Sequence, residues 1–279
     1  MMRGIKNAFF ALSLLFLCLF VMRDASPASH NQTCSQSELD VLSCSSASLT
    51  TNSCCVESPG GLLILAQLYN FNPGLGPGNS WTLHGLWPDF CNGSYPSSCD
   101  PARAYTDIPA ALKKYKQDSL LEYMIEWWRN DPVVTTENGT DADLWAHEFE
   151  KHGTCMSTLH PACYPQYQPE VEVVDFYTTS VRLFKDYPTS DFLATCGIVP
   201  SNTTTYDLAD LEGCLADATG GFTPHMGCSK ITGYLNEVWY YGHLRGRIEG
   251  GTFEGTKSTF ESTCPATGIK YPLKLNHGG

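Results

Sequence analysis

Apolar positions in the first third of the chain predict two neighbouring strands. Gly61 to Tyr69 is a nearly continuous apolar run, with a length typical of a buried strand. After a turn-forming segment rich in Pro and Gly, Ser80 to Trp87 has the pattern of a second strand, which we expect to end at Pro88. Strict alternation would divide the side chains of this strand between two faces. One face would carry Thr82, His84 and Leu86, and the other Trp81, Leu83 and Trp87.

The rest of the pattern predicts helices and further strands. Apolar residues follow helical spacing from about Pro109 to Arg129, from Val173 to Phe184 and from Leu208 to Ala218. Strands are predicted at Val238 to Leu244 and at Ile269 to Leu275, the latter at a sheet edge because it contains a proline. Without a repeat or a long linker, this order favours a single α+β domain in which a central antiparallel sheet is flanked by helices.

The first 29 residues have the composition of a secretory signal peptide. Arg3 and Lys6 precede an apolar run over residues 7–22, and small residues follow it. The run is short for a membrane span, so an uncleaved anchor is the weaker alternative. We expect a leader over residues 1–29, with an approximate cleavage site, and a mature domain over residues 30–279 that is not embedded in a membrane.

Cysteine usage agrees with export. Of 13 cysteines, Cys18 lies in the predicted leader, which leaves 12. In an exported chain these are expected to form disulfides, and the adjacent Cys54 and Cys55 should each pair elsewhere. Metal binding is the alternative, but the sequence contains no Cys-x-x-Cys pair. Four Asn-x-Ser/Thr acceptors favour a glycoprotein: Asn31, Asn92, Asn138 and Asn202.

The charge balance is acidic. The whole chain has a formal net charge of −12. Removing Arg3, Lys6, Arg23 and Asp24 with the leader leaves 14 basic and 28 acidic residues, a balance of −14. A protein that clamps long nucleic acid by its phosphates needs a basic field, so this class is disfavoured. A local basic site is still compatible with the sequence.

Residues 144–155 concentrate the candidate chemistry. In a helix, His147, Glu148, Lys151 and His152 would project within one wedge, because their angular positions span about 140°. Such a wedge holds a proton acceptor, a proton donor and a fixed positive charge side by side. Acid–base chemistry beside an anion needs these groups.

The ends of this helix are also marked. Thr140 or Asp141 can cap its start. Gly153 is expected to end it in a left-handed conformation, and Cys155 can then hold the end covalently.

Three other interpretations of the same segment compete with catalysis. His-Glu-x-x-Lys-His resembles a zinc signature, but the metalloprotease motif needs histidines four residues apart and these are five apart. A solvated charged helix face would explain Glu148 and Lys151, but not the two flanking histidines. Either histidine alone would more often be a packed core residue. The combination favours chemistry.

A second candidate stretch is Trp-Thr-Leu-His-Gly-Leu-Trp-Pro-Asp-Phe at residues 81–90. Gly85 beside His84 leaves room for another group to approach the backbone closely. For this stretch alone, a satisfied core histidine would be the default interpretation.

Together, the two stretches resemble a known family. His-Gly-Leu-Trp-Pro at residues 84–88 and His-Glu-Phe-Glu-Lys-His-Gly-Thr-Cys at residues 147–155 are similar to the two active-site segments of the ribonuclease T2 family, in the same order. The resemblance covers about residues 34–275. It implies an α+β fold around an antiparallel sheet and cleavage of single-stranded RNA without a metal or another cofactor. In that reaction the ribose 2′-hydroxyl attacks its own phosphate and leaves a 2′,3′-cyclic phosphate.

The resemblance also implies a role for each motif residue. His152 matches the base that takes the 2′-OH proton, and His84 matches the acid that protonates the leaving 5′-oxygen. His147 matches a phosphate-binding residue, whereas Glu148 and Lys151 match groups that stabilise the pentacovalent phosphorane. A lysine can offset the charge that grows on the phosphate oxygens. DNA is not an expected substrate, because it lacks the 2′-hydroxyl.

Base recognition is implied beside these motifs. Trp87, Asp89 and Tyr95 match a base-binding site of fungal members of the family. A Trp face can stack a base, and an ionised carboxylate can accept a hydrogen bond from an exocyclic amine, adenine first. Gln67 is a candidate for the other base site, although the sequence departs from the family there: Tyr69 stands where many relatives carry Trp, and Leu144 where some carry an aromatic residue. The alternative places Trp87 in the core and Asp89 in a turn.

The family framework implies most of the disulfides. By position it suggests Cys34–Cys55, Cys44–Cys91, Cys54–Cys163, Cys99–Cys155 and Cys228–Cys264, which leaves Cys196 and Cys214.

These observations predict a secreted, glycosylated, monomeric endoribonuclease that tolerates many base sequences in single-stranded RNA. An acidic vacuolar or lysosome-type compartment is the alternative destination. The alternative function is a recognition or toxin-like protein that keeps the ribonuclease fold and acts through a partner. A zinc hydrolase is a further alternative.

Overall fold

The computed structural model describes residues 34–131 and 139–275. The predicted leader and the acceptors Asn31 and Asn138 lie outside the described residues. The α-helices are α1 (Gln36–Leu39), α2 (Ile108–Lys114), α3 (Asp118–Trp127), α4 (Asp141–Lys151), α5 (Val171–Asp186), α6 (Thr189–Thr195) and α7 (Leu208–Ala218). The strands are β1 (Leu62–Leu68), β2 (Thr82–Asp89), β3 (Thr205–Tyr206), β4 (His225–Cys228), β5 (Leu235–Arg245), β6 (Thr252–Thr256) and β7 (Ile269–Lys270). Short 3₁₀ helices cover Ser46–Leu49, Pro101–Arg103, Gly153–Cys155, Ser157–Leu159 and Pro161–Cys163. In the described ranges, no helix has the length and apolar character needed to cross a bilayer.

A five-stranded antiparallel sheet organises the fold. Its strands are ordered β2-β1-β5-β4, and β6 also pairs with β5. Every residue of β1 is buried, because both of its faces are covered. Leu63 and Leu65 pack in the main core with side chains of the helices, whereas Leu62 and Ile64 belong to a smaller cluster with Tyr241. The predicted α+β class, with a central antiparallel sheet, is confirmed.

The strand predictions were right for β1 and β5 and wrong at two ends. Strand β2 continues through Pro88, which pairs with Leu63. A proline is tolerated there because β2 is an edge strand, where a missing N–H need not break the ladder. The strand predicted at residues 269–275 is limited to Ile269–Lys270, which pairs with β3 in a separate two-stranded sheet.

A β-bulge in β2 changes the predicted alternation. Strand β1 pairs Ala66 with Gly85 and the next residue, Gln67, with Leu83. His84 is therefore the extra residue of the bulge and has no cross-strand partner on β1. Bulges re-aim side chains, and they occur often beside active sites.

The prediction of two strict faces on β2 was therefore wrong beyond the bulge. Leu86 joins the main core together with Trp81 and Leu83, although alternation had placed it with His84. Trp87 packs on the other side of the sheet, against the cluster of Ile64 and its neighbours. One inserted residue is enough to exchange the faces, because side chains alternate with a period of two.

The helix predictions hold for α5 and α7 and need correction elsewhere. The continuous helix predicted over residues 109–129 is two helices, α2 and α3, because Lys116 between them adopts a positive φ of 57°. The short helix α6 and the strands β4 and β6 were not predicted. They are only four to seven residues long, and their sequences lack a clear apolar period.

Helix α4 begins as predicted and ends differently. Thr140 is its N-cap and forms a reciprocal capping box with Asp143. Gly153 does not adopt a positive φ, so the predicted left-handed cap was wrong. The chain turns directly into the 3₁₀ helix Gly153–Cys155. Glycine is needed there for space, because a Cβ would lie 2.7 Å from the Phe149 ring.

The cysteines form the five disulfides that the resemblance implied, and the two remaining cysteines form a sixth. The observed pairs are Cys34–Cys55, Cys44–Cys91, Cys54–Cys163, Cys99–Cys155, Cys196–Cys214 and Cys228–Cys264. Cys99–Cys155 holds the segment that follows α4. Beside it, the Ser98 N–H donates to the Lys151 carbonyl at 3.0 Å, and the Cys99 N–H donates to Thr154 Oγ1 at 3.1 Å.

The Cys99–Cys155 bridge should therefore support activity as well as stability. We expect the double variant Cys99→Ala/Cys155→Ala to lose about 2–4 kcal/mol of unfolding free energy and to have a lower kcat on RNA. Cys196→Ala/Cys214→Ala is the matched control. It should lose about 1 kcal/mol less, because that bridge spans 18 residues rather than 56, and it should keep its kcat. Denaturant unfolding and initial rates measured well below the transition would check this. Equal kcat values in the two double variants would contradict the link to the site.

Candidate active site

Two buried tryptophans hold the bulge that carries His84. The His84 carbonyl accepts a hydrogen bond of 2.7 Å from Trp128 Nε1, just beyond α3. The Trp128 carbonyl in turn accepts one of 2.9 Å from Trp145 Nε1 on α4. The strand, the end of α3 and α4 are thereby linked in one chain of hydrogen bonds, which fixes the first candidate histidine relative to the second motif.

Glu148 on α4 reaches the same bulge. Its carboxyl is buried, with Oε1 3.7 Å from His84 Nε2 and Oε2 accepting a hydrogen bond of 2.9 Å from Trp87 Nε1. The absence of a side chain at Gly85 makes this approach possible, because a Cβ there would lie 2.0 Å from Glu148 Oε2. The group expected to approach Gly85 is thus the Glu148 carboxyl.

His152 contacts the face of the same indole. It caps the C-terminus of α4, and its N–H donates to the Glu148 carbonyl at 3.1 Å. Its ring stacks on Trp87 with centroids 5.2 Å apart and an interplanar angle of 26°. The His84 ring stands perpendicular to the same indole at 5.7 Å. The two histidines therefore come from different elements and flank one side chain.

A cavity of about 390 Å³ opens beside this group. Lys151 and His152 form one of its walls, and Trp87 and Asp89 form another. Tyr95 contributes its exposed ring, so the structure brings together the three residues predicted to bind a base.

The model of the ribonuclease T2 family matches residues 48–263, which is most of the chain. This chain belongs to the ribonuclease T2 family. Ribonuclease M of Aspergillus phoenicis is 42% identical over 224 residues, which cover 80% of this chain and 91% of that protein. Ribonuclease Le2 of Lentinula edodes is 41% identical over 236 residues, which cover 84% of this chain and 95% of that protein. Family membership and these relatives show that the chain is an endoribonuclease, as the motifs predicted.

Solved structures support the same fold. The crystal structure of Actibind, a T2 ribonuclease, has a TM-score of 0.78 and 40% identity, and the match covers 87% of this chain and 98% of that chain. Human RNase T2 has a TM-score of 0.55 at 21% identity, which shows a shared fold.

Burial and local positive charge set the electrostatics of the T2 site. Burial lowers the pKa of His84 to about 4, with further lowering by His147 and then Lys151. Burial also lowers the pKa of His152 to about 2, helped by Lys151, His147 and His84. Both histidines are therefore neutral near pH 7, and the arrangement favours an anion, since negative charge would stabilise their protonated forms. His147 thus acts electrostatically on both histidines, as its place on the predicted wedge requires.

Glu148 has the opposite shift. Burial raises its pKa to about 8, while the hydrogen bond from Trp87 and the charge of Lys151 partly offset that increase. Between about pH 4 and pH 8, His84 and Glu148 thus face one another as a neutral imidazole and a neutral carboxylic acid. A protonated carboxyl can donate a hydrogen bond to a phosphate oxygen, which a carboxylate cannot do.

Asp89 departs from the expected ionised carboxylate. It is buried at the end of β2, and burial raises its pKa to about 7. In acid solution its carboxyl is therefore protonated and can both donate and accept. The predicted role, an ionised carboxylate that only accepts hydrogen bonds, therefore does not apply to Asp89 in acid solution.

The structure places Gln67 away from the histidines. It is fully buried on the face of β1 that points into the main core, opposite to Ile64. Its Nε2 donates to the Tyr187 carbonyl at 2.8 Å, and its Oε1 accepts from Thr189 Oγ1 at 2.8 Å. Gln67 borders a second cavity of about 230 Å³.

Sequence reasoning missed the far wall of the larger cavity. That wall includes His225 from β4, Glu237 and Trp239 from β5, and Phe260 from the loop after β6. None of these residues lies in a recognisable motif. Their only sequence signal is the cysteine pair Cys228–Cys264, which ties the end of β4 to the end of that loop.

The structure offers no set of zinc ligands among the described residues. Within residues 34–131 and 139–275, no group of three or more His, Cys, Asp or Glu side chains is placed to hold a metal ion.

Proposed function

We propose that this endoribonuclease cleaves single-stranded RNA by transphosphorylation, with His152 as general base and His84 as general acid. The carrying observation is that the two imidazoles flank the same indole, at 5.2 and 5.7 Å from the Trp87 ring. Because the histidines come from two different elements, α4 and β2, they can contact one bound phosphate from opposite sides.

The reaction forms one P–O bond and breaks another. Neutral His152 takes the proton of the ribose 2′-hydroxyl as that oxygen attacks the phosphorus. Protonated His84 gives its proton to the 5′-oxygen as the P–O5′ bond breaks. The products are a 2′,3′-cyclic phosphate and a free 5′-hydroxyl. DNA has no 2′-hydroxyl and cannot follow this route.

The phosphorane carries more negative charge than the substrate, and three side chains stabilise that charge. Lys151 supplies a positive charge at the cavity wall next to His152. Glu148 is protonated below about pH 8 and donates a hydrogen bond to a phosphorane oxygen. His147, whose positive form acts on both catalytic histidines, binds the phosphate. These steps use side chains alone, so the proposed reaction is independent of metal ions.

The cavity beside Trp87 is proposed to hold a base of the RNA, with Asp89 and Tyr95 around it. A protonated Asp89 presents one donor and one acceptor, which match the adjacent acceptor N7 and donor N6–H₂ of adenine. Stacking on aromatic rings tolerates every base, so we infer broad cleavage with a bias toward adenine. Gln67 is proposed to support the second base site, because its amide oxygen holds the Thr189 hydroxyl at the wall of the smaller cavity.

Several structural features support an exported enzyme. Six disulfides are typical of an oxidising compartment. The described glycosylation acceptors, Asn92 and Asn202, are both exposed. We therefore propose a secreted or vacuolar monomeric glycoprotein that acts on single-stranded RNA.

Loss of either catalytic histidine should nearly abolish turnover. We expect His84→Ala and His152→Ala to lower kcat on a dinucleoside phosphate by roughly 10²–10⁴-fold, the usual contribution of a positioned acid or base. His147→Ala should raise KM more than it lowers kcat. Phosphorus NMR would identify the cyclic phosphate product, and the 2′-deoxy dinucleotide serves as the uncleaved control. Near-normal turnover by His84→Ala, or loss of activity in EDTA with recovery in zinc, would contradict the mechanism.

The pH dependence should be bell-shaped and displaced toward acid. The rate rises as His152 becomes neutral, near its pKa of about 2, and falls as His84 loses its proton, near its pKa of about 4. The optimum of kcat/KM, which reports the free enzyme, should therefore lie well below the ordinary histidine pKa of about 6.5. Bound phosphate raises both pKa values, so the kcat optimum should lie at higher pH.

The control for this profile is His147→Gln, which removes one positive neighbour of both histidines. Both limbs of the profile should then move to higher pH. A wild-type kcat/KM optimum at or above the ordinary histidine pKa would count against the assignment.

The adenine bias should depend on the protonation of Asp89. In the wild type it should weaken as pH rises through about 7, because the ionised carboxylate only accepts hydrogen bonds. Asp89→Asn keeps one donor and one acceptor, so its bias should persist in alkaline buffer, and Asp89→Leu should remove the bias. The measurement is kcat/KM on all base combinations of dinucleoside phosphates in acid and in alkaline buffer. An unchanged preference in Asp89→Leu would return the residue to a structural role.

A further inference from the structure

One indole contacts three of the proposed catalytic side chains. Trp87 Nε1 donates to Glu148 Oε2 at 2.9 Å. The indole face stacks on His152 at 5.2 Å, and the His84 ring meets it perpendicularly at 5.7 Å. Base stacking alone would need only an accessible ring face. It would not need an N–H engaged with a buried carboxyl, nor a face occupied by the general base.

The indole is itself firmly held. Trp87 pairs with Ile64 in the sheet, and Trp239 packs against it edge-to-face at 5.3 Å. Gly85 provides the space for the hydrogen bond, since a Cβ there would lie 2.4 Å from Trp87 Nε1 as well as 2.0 Å from Glu148 Oε2. The Trp87 ring is held at its edge, on its face and through its backbone. It can therefore restrain the orientation of the side chains that contact it.

Each contact restrains a different coordinate of the site. The hydrogen bond sets the orientation of the Glu148 carboxyl, which has two oxygens and only one of them beside His84. Stacking sets the plane of the His152 ring and thereby the direction of its lone pair. Misplacement of a reacting group by about 1 Å can cost roughly 10²-fold in rate, so such restraints bear directly on kcat.

We propose that Trp87 is a positioning residue for the attack step, which holds His152 and Glu148 in their reactive orientation whether or not a base is stacked on it. The inference rests on the proposed function and deepens it. It separates Trp87 from Asp89 and Tyr95, whose effects should require a base in the cavity.

The test uses a substrate that has no base. In 1-deoxyribose 3′-(4-nitrophenyl phosphate) the 2′-hydroxyl is present, hydrogen replaces the base, and nitrophenolate leaves without needing a proton. Its cleavage therefore isolates the attack step and gives a coloured product. A dinucleoside phosphate is measured in parallel, and both products are checked for the cyclic phosphate.

Trp87→Phe keeps an aromatic ring and removes the N–H donor. We expect it to lower kcat by at least about 10-fold on both substrates and by a similar factor on each, because the lost restraint does not involve the base. The matched control is Tyr69→Phe, just beyond β1. It also keeps an aromatic ring and removes one buried hydrogen bond, the 2.7 Å bond from the Tyr69 hydroxyl to the Pro272 carbonyl, and the ring packs on Trp81 and Tyr271 rather than on the three catalytic side chains. Its kcat should match that of the wild type on both substrates.

A double-variant cycle provides a second readout. If Trp87 acts through Glu148, Trp87→Phe should lower kcat less in a Glu148→Ala background than in the wild type. Near-ultraviolet circular dichroism establishes folding, and Trp87→Tyr replaces Trp87→Phe if the latter does not fold. A wild-type kcat on the base-free substrate in the folded Trp87 variant, with loss confined to the dinucleoside phosphate, would overturn the inference and leave a stacking residue. Failure of the wild type to form the cyclic phosphate would instead overturn the proposed function, and the inference with it.

Discussion

The contact between the Glu148 carboxyl and strand β2 is the constraint on which the rest of the site depends. A buried carboxyl group is costly unless its oxygens find donors, and here the Trp87 N–H is that donor. The contact requires a residue without a side chain at Gly85, and it draws α4 against the bulged edge of the sheet. Once α4 is placed there, His152 at its C-terminus stacks on the same indole. One polar contact thus brings two distant stretches of sequence together.

Several independent restraints support that contact from outside. Trp128 and Trp145 link the bulge to α4 through two hydrogen bonds. The Cys99–Cys155 bridge and the buried Arg103, which donates to the Thr154 and Leu159 carbonyls, hold the segment just beyond the helix. An acidic chain can still favour an anion at one place, because Lys151 lines the cavity beside His152, and Lys151 and His147 both act electrostatically on the two candidate histidines.

The same burial determines the protonation states that the chemistry would use. It lowers the pKa of both histidines and raises that of Glu148 and Asp89, so each group near pH 7 favours its neutral form or is close to it. Protonation of either histidine creates a positive charge, which a bound phosphate would stabilise. The negative charge of RNA would then complete the electrostatic balance of the site.

The candidate catalytic residues and the main secondary structure could be predicted from the sequence. The helical wedge of His147 to His152 follows from a local period, and β1, β5, α5 and α7 follow from apolar patterns that depend only on nearby residues. Five of the six disulfide pairs followed from the resemblance to the T2 family, and Cys196 and Cys214 were the two cysteines left.

The orientation and surroundings of these residues depend on tertiary contacts. The bulge at His84 shifts the register against β1, so no local alternation could place Leu86 or Trp87 on the correct face. The protonation of Asp89 depends on neighbours that bury it, and the far wall of the cavity comes from β4, β5 and a loop more than a hundred residues away along the chain. Gly153 was predicted to adopt a left-handed conformation, but close packing against Phe149 is what requires glycine there. Apart from the Gly153–Phe149 contact, which spans one helical turn, these features arise from contacts between segments that are distant in sequence, and such contacts leave no period in the sequence itself.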